Sequence, residues 1–177
     1  MPTRPPPGPG EKSTQRNPGE PADHALGRSQ GGFGTKVHLV CDGDGRGLGV
    51  VLTAGQRHES VVFEAVMDTV SVRRAGGQRK RRPRRLAGDK AYSNRRIRRW
   101  LARRKIKAVI ARPDDQRARL PERAEASFDR ERYRRRNVVE RLIGWLKECR
   151  RVATRYEKLA VNFLAMLKLA LIARYLA

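Results

Sequence analysis

Carboxylates are scarce in this sequence. Only 18 Asp+Glu stand against 41 Lys+Arg, a formal net charge of +23 over 177 residues. That deficit excludes a basic binding partner and leaves a polyanion, of which nucleic acid is the usual one. Cysteine is equally sparse: Cys41 and Cys149 stand far apart, with no CxxC and no Cys/His cluster. A disulfide framework and a zinc site are both excluded by that spacing, and a reducing cytoplasm fits it. There is no apolar signal region at the N-terminus. The one long apolar stretch, Leu159–Leu176, is interrupted by Asn162, Lys168 and Arg174, so a buried helix is expected there and no membrane span. With 33% of residues charged the core is modest, and part of the chain is expected not to be compact.

What is present divides along the chain. Residues 1–30 are rich in Pro, Gly, Arg and polar residues without helical or strand period, and are expected to be a disordered tail. Gly34–Asp42 and Leu48–Ala54 alternate as two strands, joined by the hairpin chemistry of DGDGRG. Asp42 and Asp44 are expected to be turn formers, and the unpaired His38 and His58 to be structural. Ser60–Val70 has the period of a short helix, and residues 71–85 form a basic loop suited to phosphate contact. A strand at Arg85–Gly88 exits at Asp89, in LAGDKAY. Ser93 is expected to cap a helix running to about Arg104, followed by a strand at Lys107–Ala111, a polar linker at Arg112–Ser127, and two helices.

The first of those helices, Phe128–Arg151, carries the pattern that matters most. Asp129 is placed to cap it, and Phe128 has staple spacing to Tyr133. On a helical wheel Val138, Val139, Leu142, Trp145, Leu146 and Cys149 share one side. Tyr133, Arg136, Glu140 and Lys147 fall within about 60° of one another on the other side. One carboxylate is thereby aligned with two cations and a phenol along roughly 20 Å of helix. Taken alone, Glu140 and Arg136 also suit an ordinary solvated i, i+4 pair.

The spacing Tyr-x2-Arg-x3-Glu-x6-Lys, with GDKAY upstream, resembles the DDE-type insertion-sequence transposases, in particular the group of insertion sequences four and five. The resemblance extends over about Asp23–Ala177 and includes GRSQGGFGTK, LTAGQRHES and ATRYEKLA. It implies an α/β, RNase H-like catalytic domain over residues 31–177. It implies that Asp89 and Glu140 are the second and third catalytic acids, binding Mg²⁺ or Mn²⁺. Hard divalent ions take oxygen donors, and two such ions neutralise the attacking and leaving oxygens of a phosphodiester. Arg136 and Lys147 would meet phosphates, with Lys90 a further candidate. Tyr133 would either stack near a base or pack at the strand end. The implied partners are transposon terminal inverted repeats and target DNA, handled by a homo-oligomer in a synaptic complex near the bacterial nucleoid.

The sequence departs from the family in one respect. The first catalytic aspartate belongs on a first strand upstream of Gly27–Lys36, where this chain has its Pro-rich segment and only Asp23. The expectation is a truncated or frameshift-separated domain lacking its first strand, inactive in strand transfer alone. The alternative from composition is a non-catalytic basic DNA-binding protein using Arg73–Arg85 and an Arg-rich helix.

Overall fold

The computed structural model describes residues 24–113 and 128–176; most of the tail and the linker expected at 112–127 lie outside the described residues. Alternation in GTKVHLVC and GLGVVLTA produces the central hairpin. Strand β2 (Gly32–Cys41) pairs antiparallel with β3 (Gly47–Ala54), Leu39 opposite Val50 and Val37 opposite Leu52. The turn is held by Asp42, whose Oδ1 accepts from the backbone N–H of Asp44 at 3.0 Å and of Arg46 at 2.9 Å. Gly45 supplies the positive φ of 85° that this turn needs. A short strand, β1 (Gly27–Ser29), pairs with the start of β2, so the tail expected to reach residue 30 ends earlier.

Period two sends Val37, Leu39, Val50 and Leu52 to one face of the hairpin. The long C-terminal helix covers that face with Phe163 and Leu167, which are buried. The opposite face receives α1 (Glu59–Asp68), capped by His58, whose Nδ1 accepts from the Ser60 N–H at 3.2 Å. Helix and strand approach closely at Gly49, where a Cβ would lie 2.3 Å from Thr69 Oγ1 and 3.3 Å from the Val66 carbonyl.

Residues 71–85 are expected to be loop throughout, but they contain a two-residue hairpin, β4 (Val72–Arg73) with β5 (Arg79–Lys80), turning at Gly77 with φ 81°. A second sheet follows: β6 (Arg85–Gly88) lies parallel to β7 (Lys107–Ile110), and α2 (Arg95–Arg103) makes the crossover. The cap of α2 is Asn94, not Ser93 as expected: Asn94 Oδ1 accepts from Ile97 N–H at 2.9 Å. Ser93 is buried and its hydroxyl instead accepts from the Arg98 guanidinium. Phe63 and Met67 of α1, Ile97, Trp100 and Leu101 of α2, and Ile106 and Ile110 form one core. Val40 of β2 and Leu86 of β6 pack against it, so both sheets share this core although no strand hydrogen-bonds them together among the described residues.

The stretch expected as one helix, 128–151, is three. They are α3 (Arg130–Arg134), α4 (Asn137–Glu148) and α5 (Arg150–Ala153). At the first junction Arg136 and Val138 N–H groups bond three residues back, to Tyr133 and Arg135, instead of four. At the second, Cys149 turns extended with ψ 101°. Helix α6 (Ala160–Leu176) ends the chain's described part, with Val161, Leu169, Ile172 and Leu176 exposed. No helix among the described residues is long and apolar enough to cross a membrane.

Candidate nucleic-acid and metal site

Asp89 stands at the exit of β6. Its Oδ1 accepts from the Lys90 N–H at 2.6 Å and so caps a short 3-10 turn, Lys90–Tyr92. The carboxylate is solvent-exposed. Tyr92 is mostly covered, its ring 5.9 Å from that of Phe63. Burial pushes the Tyr92 phenol above its usual pKa, and the charges of Glu59 and Asp89 push it further the same way. Helix α1 packs against the turn that follows Asp89. Glu59 is itself fixed by Lys36, whose Nζ donates to its carboxylate at 2.8 Å and to the Arg57 carbonyl at 3.0 Å. The hydrogen bond from Lys36 is the main reason the Glu59 pKa falls. These two residues come from GRSQGGFGTK and LTAGQRHES; the motifs are visible in the sequence, but the pairing between them is not.

The second half of the candidate site lies on the signature helices. Asp129 caps α3 by accepting from the Arg132 N–H at 3.0 Å, and the Phe128 and Tyr133 rings meet at 5.4 Å as the staple spacing predicts. Tyr133, Arg136 and Glu140 stay in contact across the break between α3 and α4. The Arg136 guanidinium lies 5.3 Å over the Tyr133 ring and 2.9 Å from Glu140 Oε1. Arg136 Nε is buried and makes no hydrogen bond among the described residues. Lys147, two turns on, is exposed with no such contact. Helix α3 touches β6 and β7, whereas α4 touches β2. The signature stretch therefore touches both of these sheets.

The donors have the right chemistry for a hard divalent ion, since both acids are exposed oxygen ligands. Burial pushes the Cys41 thiol up to about 11, which leaves it protonated and no competitor for metal. Among the described residues, however, no group of three or more His, Cys, Asp or Glu gathers in one place. Asp89 and Glu140 each offer one exposed carboxylate, and two such ligands would suit an ion that keeps several waters and fall short of a closed two-ion site.

The family described as Transposase DDE domain matches residues 7–175, nearly the whole chain. The chain belongs to the DDE transposase family. A curated relative from Burkholderia cepacia, named as a transposase for insertion sequence element IS402, is 33% identical over 137 residues. The match covers 77% of this transposase chain and 60% of that relative, so the chain spans about 60% of the relative's length. No solved structure matches it. A mixed α/β layout with a parallel strand–helix–strand unit after an antiparallel hairpin fits the RNase H-like fold in general.

His38 is expected to give the domain a pH-dependent stability. It is buried, and its Nε2 lies 2.8 Å from Thr53 Oγ1. Burial lowers its pKa below 6.5, outweighing the opposite pull of Glu59. The unfolded chain therefore binds a proton that the folded chain refuses, and stability rises with pH across the window just below 6.5. Urea denaturation should show stability falling on acidification through that window, and His38→Gln should flatten the fall. An unchanged slope in that variant would assign the effect elsewhere.

Proposed function

We propose that this chain is the catalytic part of an insertion-sequence transposase that cleaves and joins DNA at transposon ends, with Asp89 and Glu140 as two of its metal-binding acids. The catalytic domain comprises residues 31–177 with β1 leading into it. The observation that carries the reading is the contact chain Tyr133–Arg136–Glu140 across the junction of α3, which touches β6 and β7, and α4, which touches β2.

Asp89 and Glu140 would hold Mg²⁺ or Mn²⁺, which when bound supplies Lewis-acid stabilisation of charge on phosphate oxygens. The pairing of Glu140 with Arg136 does not prevent this. Glu140's side chain is 58% exposed, and a solvated i, i+4 pair contributes only about 0.3–0.5 kcal/mol, too little to withhold a carboxylate from a divalent ion. Once displaced, Arg136 offers the Nη1 that now faces Glu140 to a phosphate oxygen. Lys147 and Lys90 would add positive charge, and Tyr133 supports the Arg136 guanidinium with its ring. The two sheets share a core without sharing a strand ladder among the described residues. Two carboxylates alone would bind one ion weakly. In the assembled enzyme, copies act together on terminal repeats and target DNA.

The test is metal binding. Manganese titration followed by electron paramagnetic resonance should show weak uptake by the native chain. Asp89→Asn and Glu140→Gln should each weaken it about tenfold or more, consistent with the loss of one of two charged ligands. Metal uptake unchanged in both variants, with DNA retention also unchanged, would reduce the protein to a basic DNA-binding chain.

A further inference from the structure

Helix α2 carries five arginines, and the contacts sort them by role. Arg96 reaches α1, donating to Glu64 at 2.5 Å and to the Ser60 carbonyl. Arg98 donates to Ser93 Oγ at 2.7 Å and to the Ile110 carbonyl at 2.9 Å, tying the helix to β7. Arg104, at the C-cap, stacks on Trp100 at 3.9 Å. Arg95, Arg99 and Arg103 remain. They are exposed, spaced i, i+4, i+8, and have no hydrogen-bond or ion-pair partner among the described residues.

We propose that Arg95, Arg99 and Arg103 form a phosphate-gripping ladder for duplex DNA, separate from the Asp89/Glu140 site. Two features of the helix point there. First, the arrangement is unfavourable for the helix itself. Its first turn has no acid, so Arg95 and Arg96 sit at the positive end of the dipole, and successive ladder arginines repel at i, i+4. An external polyanion removes both penalties. Second, the ladder is rigid. The reverse face of α2 holds Ile97, Trp100 and Leu101 in the core, and Asn94, Arg96 and Arg98 fix its ends and sides. Steps of about 6 Å along one helix face present three guanidiniums to a phosphate backbone with little ordering left to do. An anionic membrane is a poorer fit, because the apolar stripe of α2 is already spent on the core and the exposed face has no aromatic or large aliphatic residue to insert.

The ladder names the surface by which DNA is held, so it rests on the reading of DNA as substrate. The experiment separates the two. Fluorescence anisotropy with a 30-base-pair duplex of arbitrary sequence gives the dependence of log K on log salt between 50 and 200 mM. Each phosphate contact contributes a slope of about 0.9, so the triple variant R95Q/R99Q/R103Q should reduce the slope by about 2–3. A charge-matched control at exposed positions elsewhere, R28Q/K158Q/K168Q, should change it by less than about 1. The triple Lys variant should keep most of the slope, and thermal melting should show all variants folded. Should the triple Gln variant melt early, Arg99→Gln alone still has to lower the slope by about 1. Equal slope changes in ladder and control would make the effect one of net charge and overturn the ladder while leaving DNA binding intact. Failure of the native chain to bind duplex DNA would overturn both readings. Equal losses on phosphatidylserine vesicles and on the duplex would overturn the assignment to DNA.

Discussion

Trp100→Ala is expected to destabilise the protein by about 3–5 kcal/mol, as large-to-small changes at fully packed aromatics do. Trp100 is 4% exposed, meets the Phe63 ring edge-on at 5.3 Å, and lies in one cluster with Met67, Ile97, Leu101, Ile106 and Ile110. Three elements converge on it: α1 through Phe63, α2 through its own neighbours, and β7 through Ile110. Truncation leaves a cavity that none of the three can close without moving away from another. The edge-to-face contact adds roughly 0.5–1.5 kcal/mol beyond area, and the Arg104 stack is lost as well. In a chain of this length the melting midpoint should fall by roughly 6–20 °C. Trp100→Phe, which keeps an aromatic edge for Phe63, should lose much less. Urea denaturation followed by circular dichroism measures both. A cost below about 1 kcal/mol for the alanine variant would mean that this cluster does not join the two sheets. The consequence reaches function, because α2 presents the arginine ladder on its outer face and its inner face holds β6 and β7, where Asp89 exits.

What the sequence made legible follows from how local each signal is. The β2–β3 hairpin was readable because alternation and turn chemistry act within a few residues: Asp42 both starts the turn and accepts its hydrogen bonds. Asp89 at a strand exit and Asp129 at a helix start were readable for the same reason. The family itself was readable from four positions in one helical register and a short acid motif upstream, and the match over 7–175 agrees. The breaks in 128–151 were not readable. No Gly or Pro marks them, and a wheel at 100° per residue assumes the regular winding that the i−3 bonds of Arg136 and Val138 alter. Asn94 and Ser93 are both good caps, and Ser93 is engaged instead by Arg98, whose guanidinium also donates to the Ile110 carbonyl on β7. The pairing of Lys36 with Glu59 lay equally out of reach, since it joins residues on different elements. Of the candidate site, the row Tyr133–Arg136–Glu140 was legible as a set of neighbours; its place against two sheets required the fold.

Arg155→Met should cost roughly 3–4 kcal/mol, because it removes a hub of charge-assisted hydrogen bonds, each contributing about 1.5–3 kcal/mol but not additively. Arg155 Nε donates to the Glu157 carbonyl at 2.8 Å and Nη2 to the Lys158 carbonyl at 2.8 Å, folding the turn that launches α6. Its Nη1 crosses to the other end of the chain, to the Thr35 hydroxyl and to the Ala25 carbonyl at 3.5 Å. Thr35 Oγ1 in turn donates to the same carbonyl at 2.6 Å. The guanidinium also lies 5.4 Å over Phe163, a buried residue of the α6 core. One planar fork therefore ties the approach to β1, the start of β2 and the entry to α6, which explains why ATRYEKLA and GRSQGGFGTK occur together. Methionine fills much of the stem's space but removes the donor to the Glu157 and Lys158 carbonyls, while the Ala25 carbonyl keeps its bond from Thr35. Lysine restores the charge and not the fork, so it should recover less than half of the loss. Hydrogen exchange should localise the effect, with protection falling around residues 25–36 and 155–163 before the α2 core opens. Full rescue by lysine would mean that charge alone, not the directed set of bonds, holds the two chain ends together.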